Sequence, residues 1–356
     1  NKAIGEKLAR KVLLLEPENG EVYYNLATSK RFTAGDPDID AMEELKRRNT
    51  VGQDSGMYIG YALSKAYEET GKFDKAFVNL EKANRHWRSK IEFNIKDEEA
   101  LTRRLIKVFS SEIFLQHKDS SGDPSQKVPI FILGMPRSGT TLVEKIISSH
   151  SKVSTISEAN YIPEKIFFYL SNDFENFKSF IDSNFQDEYF EFTNSFNIKN
   201  EIIIDKTLIN FWYLGFIKIF FPNSKIVHVS RNPLDNCLSI FENLFEFSQG
   251  WDCDQNELAE YYLIYKDLME YWNTILDKKI LNIKYEDLIS NPEKQIKELI
   301  NFCQLEWEDR CLNYYDNSNP IKTLSVNQAN KPIYKSSINK YKNYEKDLNI
   351  LFSKLK

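Results

Sequence analysis

The stretch Ile130–Val143, IFILGMPRSGTTLV, decides the fold that we predict for this chain of 356 residues. Four apolar residues indicate a buried strand, a loop bounded by glycines follows, and an apolar helix is predicted to begin at Thr140. In such an arrangement, backbone N–H groups and the positive end of the helix converge on one point, which favours an anion. The spacing is that of a P-loop, except that Thr140 stands where a P-loop has its lysine. The loop carries its positive charge at Arg137 instead, a planar donor suited to a phosphate or sulfate group.

Strands and helices alternate after this point in the chain. Five short apolar runs predict strands: Ile130–Leu133, Val153–Ile156, Ile202–Ile204, Lys225–Val229 and Ile280–Ile283. Helical segments lie between them, and this alternation is typical of a parallel sheet covered by helices. We therefore predict an α/β fold over residues 127–356, with a P-loop-type parallel sheet flanked by helices.

Residues 1–118 show helical patterns only. The clearest unit is Gly60–Tyr67 and the helix after it, where the small residues Ser64, Ala76 and Ala83 allow two helices to approach closely. This unit resembles a tetratricopeptide repeat (TPR), and an ordinary helical bundle is the alternative. A polar, turn-rich stretch follows at residues 118–125. We predict an all-α, TPR-like helical-repeat domain at residues 1–118, before the α/β domain.

Composition excludes several function classes. The formal net charge of −5 and the pI near 5.7 give no electrostatic reason to expect nucleic acid as a partner. The four cysteines form no C-x-x-C pair and the four histidines lack metal-ligand spacing, so neither a zinc site nor a disulfide scaffold is indicated. No apolar run approaches the roughly 18–20 residues of a membrane span, and the first residues are unlike a signal peptide. We therefore expect no membrane span and a cytoplasmic protein.

The segment Pro136–Leu142 resembles the 5′-phosphosulfate-binding loop of sulfotransferases that use 3′-phosphoadenosine-5′-phosphosulfate (PAPS). The resemblance is to the tyrosylprotein sulfotransferases and the bacterial TPR sulfotransferases in particular. It implies that the loop and helix start bind the phosphosulfate through Arg137, Ser138, Gly139, Thr140 and Thr141.

A second motif lies at Lys225–Ser239. An arginine at a strand end, an Asn-Pro turn and a helix can bring Arg231 and Ser239 to one phosphate. The family uses such a pair for the 3′-phosphate of the nucleotide. Arg231 could also cap the strand end or pair with Asp235.

Two further segments keep the order of the family. Lys284–Leu288 resembles the strand and helix start at which Tyr285 contacts the cofactor. Ser325–Pro332 resembles the C-terminal cofactor loop, in which Ser325 and Lys331 would serve the phosphates. The resemblance also counts Arg137 and Ser325 among the catalytic residues.

Sulfuryl transfer needs a base for the acceptor proton, a cation at the leaving oxygen and fixed donors for the sulfuryl oxygens. No histidine lies between His150 and His228. The resemblance assigns the base to Glu158, after the strand Val153–Ile156, and the cation to Lys206, after the strand Ile202–Ile204. A solvated loop glutamate is the alternative for Glu158.

Two other functions are compatible with the sequence. Three isoleucines before Asp205 are also typical of a Walker B strand, so an ATP-dependent phosphotransferase with Mg²⁺ at Asp205 is one alternative. A catalytically inactive interaction scaffold is another. We favour a PAPS-dependent sulfotransferase that releases adenosine 3′,5′-bisphosphate and needs no metal.

The acceptor is expected to be a hydroxyl, with a protein tyrosine as first choice and small phenols or sugars left open. Helical-repeat arms bind peptides and protein surfaces, so the TPR-like region is a candidate for holding a peptide or protein partner. A homodimer is also left open.

Overall fold

The computed structural model describes residues 2–48, 51–110, 127–172, 180–181, 183–196, 198, 200, 202–245, 248–277, 279–317 and 337–356. The described part of the first 110 residues is helical, as the sequence predicts. Its helices are α1 (Lys2–Leu15), α2 (Gly20–Ser29), α3 (Pro37–Arg48), α4 (Gln53–Glu69), α5 (Phe73–Arg88) and α6 (Ile95–Phe109). None of the helices in the described ranges has the length and apolar character needed to cross a membrane.

Strands and helices alternate in the rest of the chain. The strands are β1 (Val128–Leu133), β2 (Val153–Ser157), β3 (Ile202–Asp205), β4 (Lys225–Ser230) and β5 (Ile280–Lys284). The longer helices are α7 (Thr140–Ser148), α8 (Tyr161–Asn172), α9 (Phe185–Asn194), α10 (Leu214–Phe220), α11 (Pro233–Phe241), α12 (Gln255–Ile275) and α14 (Pro292–Phe302). Shorter helices are α13 (Tyr285–Ser290), α15 (Asp309–Leu312) and α16 (Asn349–Leu355), and 3₁₀ turns lie at Leu208–Tyr213, Trp251–Cys253, Tyr314–Asp316 and Lys340–Tyr344.

The five strands form one parallel sheet in the order β2-β3-β1-β4-β5. In the centre, Ile130 of β1 pairs with Ile204 of β3 on one side and with Lys225 of β4 on the other. All five predicted strands are confirmed, and the helix predicted to begin at Thr140 begins there. The α/β prediction is therefore confirmed for the described residues.

Helices cover the sheet, which explains why its central strands are apolar throughout. Ile130–Leu133 of β1 have no exposure to solvent. Parallel strands that are buried on both faces are typically continuous apolar runs of this kind. The core of this part continues into α7 and α14 through Val143, Ile146, Ile147, Ile296, Leu299 and Ile300.

The chain divides into two compact units. The first contains Asn1–Ile95, Cys237–Tyr261 and Asn339–Lys356, and the second contains Lys96–Asn236 and Tyr262–Ile338. The predicted boundary between residues 118 and 127 lies almost wholly outside the described residues. The domain boundaries of 1–118 and 127–356 therefore stay a prediction.

Small residues bring α4 and α5 together in the first unit. A Cβ added to Gly60 would lie 3.0 Å from the Cβ of Ala83, so the two helix backbones approach closely. At the end of α5, the Asn84 side chain accepts a hydrogen bond from the Tyr61 hydroxyl and donates to the carbonyl oxygen of Phe241 (2.8 Å). These contacts fit the predicted close helix pair, and a common ancestry with TPR units stays a prediction.

A lysine ties the C-terminal segment of the first unit to two helices. The Nζ atom of Lys340 lies 2.6 Å from a carboxylate oxygen of Glu242 and 2.7 Å from one of Glu68. The Glu242 side chain is largely shielded from solvent, which raises the pKa of its carboxyl group to about 7. One ammonium group thus connects the end of α4 and the residue after α11 with the 3₁₀ turn at Lys340–Tyr344.

A buried histidine lies on β4 in the second unit. The Nδ1 atom of His228 lies 2.7 Å from Asn282 Oδ1, and its Nε2 atom hydrogen-bonds with the hydroxyl of Tyr265. Burial lowers the pKa of His228 to about 4. The ring is therefore neutral in the native protein at pH values at which a solvated histidine is charged.

Replacing His228 is expected to change how stability depends on pH. An unfolded histidine titrates near pH 6.5. Below that pH the unfolded state takes up a proton, whereas the buried ring stays neutral down to about pH 4. The free energy of unfolding should therefore be highest above about pH 6.5 and should fall by about 3 kcal/mol as the pH decreases toward 4. The substitution His228→Gln should remove this loss from the pH profile of the free energy of unfolding. Urea unfolding of both proteins at several pH values between about 4 and 7 measures the difference. Parallel profiles for the two proteins would contradict the interpretation.

Candidate functional site

The loop between β1 and α7 is shaped by two close backbone approaches. Gly134 has a φ of +148°, and a Cβ there would lie 2.3 Å from the carbonyl oxygen of Val229 on β4. Gly139 has a φ of +107°, and a Cβ there would lie 2.6 Å from the ring of Tyr285. Arg137 between them has a φ of +63°. Only glycine fits at the two ends of the loop, which explains the glycine spacing in the sequence.

Two buried donors near this loop lack hydrogen-bond partners. The Ser138 side chain has no exposure to solvent, and its hydroxyl has no hydrogen-bond partner among the residues that the structure describes. Arg231 directly follows β4 and is 8% exposed, and its Nε atom also has no partner. Buried donors are rarely left unpaired in folded proteins, so both atoms indicate a place where an acceptor binds. Thr140 and Thr141, also predicted for this site, are buried in the first turn of α7.

The guanidinium group of Arg231 is placed by three neighbours. Nη1 donates to the carbonyl oxygen of Arg137 (3.2 Å), and Nη2 donates to that of Ser337 (2.5 Å). The guanidinium lies 5.2 Å from the centre of the Tyr285 ring, whose hydroxyl is 3.1 Å from Ser337 Oγ. Arg231 and Tyr285, two residues that the sequence predicts, therefore lie beside the loop.

Three further predicted residues stand differently. Ser325 and Lys331 lie outside the described residues. Ser239 is a buried residue of α11 that belongs to the first unit, and its pairing with Arg231 stays a prediction. Ser337 is a neighbour of Arg231 that the sequence interpretation missed, although it lies in the same C-terminal stretch as the predicted loop.

Glu158 and Lys206 meet at the edge of the sheet. They follow β2 and β3, which are neighbouring parallel strands, so both lie at the carboxyl ends of strands, where α/β proteins bind ligands. The Lys206 side chain is fully buried and its Nζ atom donates a hydrogen bond to Glu158 Oε1. The Glu158 side chain is 41% exposed. The structure thus pairs a buried cation with a carboxylate that is accessible to solvent.

The turn after β2 holds this arrangement. Ser157 has a φ of +54°, and its carbonyl oxygen accepts a hydrogen bond from the backbone N–H of Lys206 (2.9 Å). Asn160 has a φ of +55°, and its N–H donates to the Thr207 hydroxyl (3.2 Å). Non-glycine residues with positive φ are uncommon and persist where the surrounding structure supports them. The backbone therefore fixes the turn that carries Glu158.

A second carboxylate lies behind Lys206 and was not predicted from the sequence. Glu144 of α7 is fully buried, and its Oε2 atom lies 3.6 Å from Lys206 Nζ. Its other oxygen accepts hydrogen bonds from the hydroxyls of Thr155 (2.6 Å) and Ser157 (2.8 Å). The only sequence signal was a glutamate within an otherwise apolar helix start, one turn after Thr140.

Asp205 is a third carboxylate, and the protein itself satisfies it. Oδ1 accepts from the N–H of Thr207 (3.0 Å) and from Asn210 Nδ2 (3.4 Å), and Oδ2 accepts from the Tyr189 hydroxyl (3.2 Å). Burial raises the pKa of Asp205 to about 6. Both oxygens are engaged, which is the arrangement expected of a structural carboxylate.

The class of protein follows from the similarity of the α/β part of the chain to a known family. The family model described as "Sulfotransferase family" matches residues 129–309, which is half of the chain. The chain therefore belongs to the sulfotransferase family. The match extends from β1, before the loop, to the beginning of α15.

Individual proteins and solved structures are also similar to parts of this chain. An "Uncharacterized protein" of Aquifex aeolicus (strain VF5) is 33% identical over 334 residues, which cover 89% of this chain and 44% of the relative. "Protein-tyrosine sulfotransferase 1" of Danio rerio is 23% identical over 206 residues, covering 52% of this chain and 55% of the relative. The chain thus spans about half the length of these two relatives. Among solved structures, the sulfotransferase domain from the Synechococcus PCC 7002 olefin synthase matches with a TM-score of 0.47 and 18% identity, covering 63% of this chain and 91% of that chain.

Gly134 offers a test of the loop geometry. The substitution Gly134→Ala combines an unfavourable φ with a clash against the backbone of β4, so we expect it to lower the free energy of unfolding by about 2 kcal/mol or more. Gly71 is the matched control, since it has a φ of +74° but nothing within 4 Å of an added Cβ. Gly71→Ala should cost about 1 kcal/mol, from backbone strain alone. Urea unfolding of both variants measures the losses, and equal losses would contradict the close approach at Gly134.

Proposed function

We propose that this chain transfers the sulfuryl group of PAPS to an acceptor hydroxyl. The observation that carries the proposal is the pairing of the buried Lys206 with the accessible Glu158 at the carboxyl edge of the sheet. A base and a cation side by side are what the acceptor proton and the leaving oxygen require. The phosphate-type loop after β1, the strand next to β3, supplies donors for the transferred group.

The residues present fit PAPS, the proposed source of the sulfuryl group. Ser138 Oγ and Arg231 Nε are unpaired buried donors, and an anion supplies acceptors for both. In the proposed site, the phosphosulfate is held by Arg137, Ser138, Gly139, Thr140 and Thr141. The 3′-phosphate end is held by Arg231 and Tyr285, while the roles of Ser239, Ser325 and Lys331 stay predictions from the resemblance.

The proposed mechanism uses two protein groups at the reacting atoms. When bound, PAPS supplies an activated sulfuryl group. Glu158 takes the proton of the acceptor hydroxyl while the acceptor oxygen forms its bond to sulfur. Lys206 stabilises the negative charge on the phosphate oxygen as the bond from sulfur to that oxygen breaks, and adenosine 3′,5′-bisphosphate is released. Arg137 and Ser325 are proposed to hold the sulfuryl group in position during the transfer.

We propose a tyrosine hydroxyl of a peptide or protein as the acceptor. The name of the Danio rerio relative supports this choice. The helical region of about 100 residues also supports it, because helical repeats commonly bind peptides. The phosphotransferase alternative is disfavoured, because the family model that matches this chain is that of sulfotransferases.

Ser138 and Arg231 test the donor site. Arg231→Ala removes a charge-assisted contact to the 3′-phosphate, so we expect adenosine 3′,5′-bisphosphate to bind about tenfold to hundredfold more weakly. Ser138→Ala removes an unpaired buried hydroxyl, so the ligand-free protein should be as stable as the wild type or more stable, while the ligand binds more weakly. Calorimetric titration and thermal unfolding measure both effects. Wild-type affinity in the folded Arg231→Ala protein would show that the 3′-phosphate site is wrong.

Glu158 and Lys206 test the chemistry. Glu158→Gln keeps the shape of the side chain but removes the base, so single-turnover sulfuryl transfer should slow by about 10²–10⁴-fold at unchanged affinity for adenosine 3′,5′-bisphosphate. Lys206→Ala should also lower the rate, since it removes the charge beside the leaving oxygen. Glu298→Gln is the control, because Glu298 is an exposed glutamate of α14. Transfer by Glu158→Gln at nearly the wild-type rate would rule out Glu158 as the base.

A further inference from the structure

We propose that Glu144 is a positioning residue that holds the Lys206 ammonium when Glu158 turns to the acceptor. This inference rests on the proposed function, and it adds a second partner for the catalytic lysine. One feature distinguishes Glu144 from the structural carboxylate Asp205. One of its oxygens accepts two hydrogen bonds, whereas the other is buried beside the Lys206 ammonium without a hydrogen bond.

The first oxygen fixes the side chain. Glu144 Oε1 accepts hydrogen bonds from two hydroxyls of β2, those of Thr155 (2.6 Å) and Ser157 (2.8 Å). The Thr155 hydroxyl in turn accepts from the N–H of Ser157 (3.0 Å). The carboxylate therefore has a defined orientation between α7 and β2, and its second oxygen has a defined direction.

The second oxygen is directed toward Lys206. Glu144 Oε2 is buried, has no hydrogen-bond partner within the described part of the chain and lies 3.6 Å from Lys206 Nζ. That distance is within the range of an ion pair but longer than a hydrogen bond. A buried carboxylate oxygen without a hydrogen bond is costly, so its retention needs an explanation.

Exchange between two carboxylates supplies that explanation. In this structure the hydrogen bond of Lys206 goes to Glu158. A base must present its oxygen to the acceptor hydroxyl, and Glu158 can do so because its side chain is 41% exposed. Lys206 is fully buried, and a buried ammonium that lost its only hydrogen-bonded carboxylate would be strongly destabilised.

Glu144 is placed to prevent that loss. A shift of Nζ by less than about 1 Å would bring it within hydrogen-bond distance of Glu144 Oε2. Asp205 is less suited to the exchange, because both of its oxygens already accept hydrogen bonds from Thr207, Asn210 and Tyr189. Glu144 would thus hold the Lys206 ammonium group in place while Glu158 accepts the proton. No covalent step at Glu144 is involved.

A stability cycle tests the exchange without any transfer reaction. In Glu158→Gln protein, Lys206 must depend on Glu144, so adding Glu144→Gln should lower the urea midpoint clearly more than the same change does in the wild type. A role limited to joining α7 to β2 predicts equal losses in the two backgrounds, because the bonds from Thr155 and Ser157 are present in both. Equal losses would therefore overturn the proposal.

A kinetic cycle tests the role in transfer. Glu144→Gln should lower the single-turnover rate by about 10- to 100-fold, as expected for a displaced catalytic group, at unchanged affinity for adenosine 3′,5′-bisphosphate. In Lys206→Met protein the same change should have no further effect, because Glu144 acts through Lys206. An equal factor in both backgrounds, or a wild-type rate in Glu144→Gln, would overturn the proposal.

Controls separate this proposal from the proposed function. If Lys206→Met transfers at the wild-type rate, the catalytic role of Lys206 fails, whereas the stability cycle still decides whether Glu144 replaces Glu158 as its partner. Glu298→Gln, an exposed change on α14, should alter neither readout. If Glu144→Gln does not fold, Ser157→Ala loosens the same carboxylate by removing one hydroxyl donor. Its smaller rate loss should likewise disappear in Lys206→Met protein, and persistence there would overturn the proposal.

Discussion

A fully buried ammonium group has to be neutralised within the protein, and the candidate site is organised around the ammonium of Lys206. Its Nζ atom donates a hydrogen bond to Glu158 and lies 3.6 Å from Glu144 Oε2. These residues come from the ends of β2 and β3 and from α7, so the pairing requires two adjacent parallel strands and one covering helix to meet. Hydroxyl and amide groups then satisfy the remaining oxygens of the nearby carboxylates, because buried acceptors without partners are costly. The local structure thus follows from the requirement to bury one charge.

The order of the strands separates the groups suited to an anion from the pair of Glu158 and Lys206, and α7 connects the two sets. The groups suited to an anion are the loop after β1 and Arg231 after β4. The carboxylate of Glu158 follows β2, and the ammonium group of Lys206 follows β3, which lies directly beside β1. Helix α7 begins at the loop after β1 and carries Glu144 one turn later. A displacement of α7 would therefore change the loop and the surroundings of Lys206 together. This coupling suits a reaction in which donor and acceptor must be aligned before any bond changes.

The sequence predicts the parts of the fold that depend on local pattern. All five strands were recognisable, because buried parallel strands are continuous apolar runs, and the glycines at 134 and 139 indicated the loop between β1 and α7. The position of Glu158 and Lys206 near strand ends also followed from the predicted strands, whereas the hydrogen bond between them was not predicted. Glu144 was missed because a glutamate in a short helix is usually exposed, and its burial depends on hydroxyls of another strand. Ser337 and the grouping of residues 237–261 and 339–356 with the first helices depend on contacts between distant parts of the chain, which no local pattern shows.

The unpaired atoms of the site have opposite chemical character in its two halves. Ser138 Oγ and Arg231 Nε are donors beside the loop, whereas Glu144 Oε2 is an acceptor beside Lys206. A packed interior normally provides hydrogen-bond partners for such atoms, so each of these three atoms calls for an explanation. Free donors favour a bound anion, and a free acceptor next to an ammonium group favours movement of that group. The proposed binding of an anion would provide acceptors for the two donors, and the proposed exchange at Lys206 would provide a donor for Glu144 Oε2.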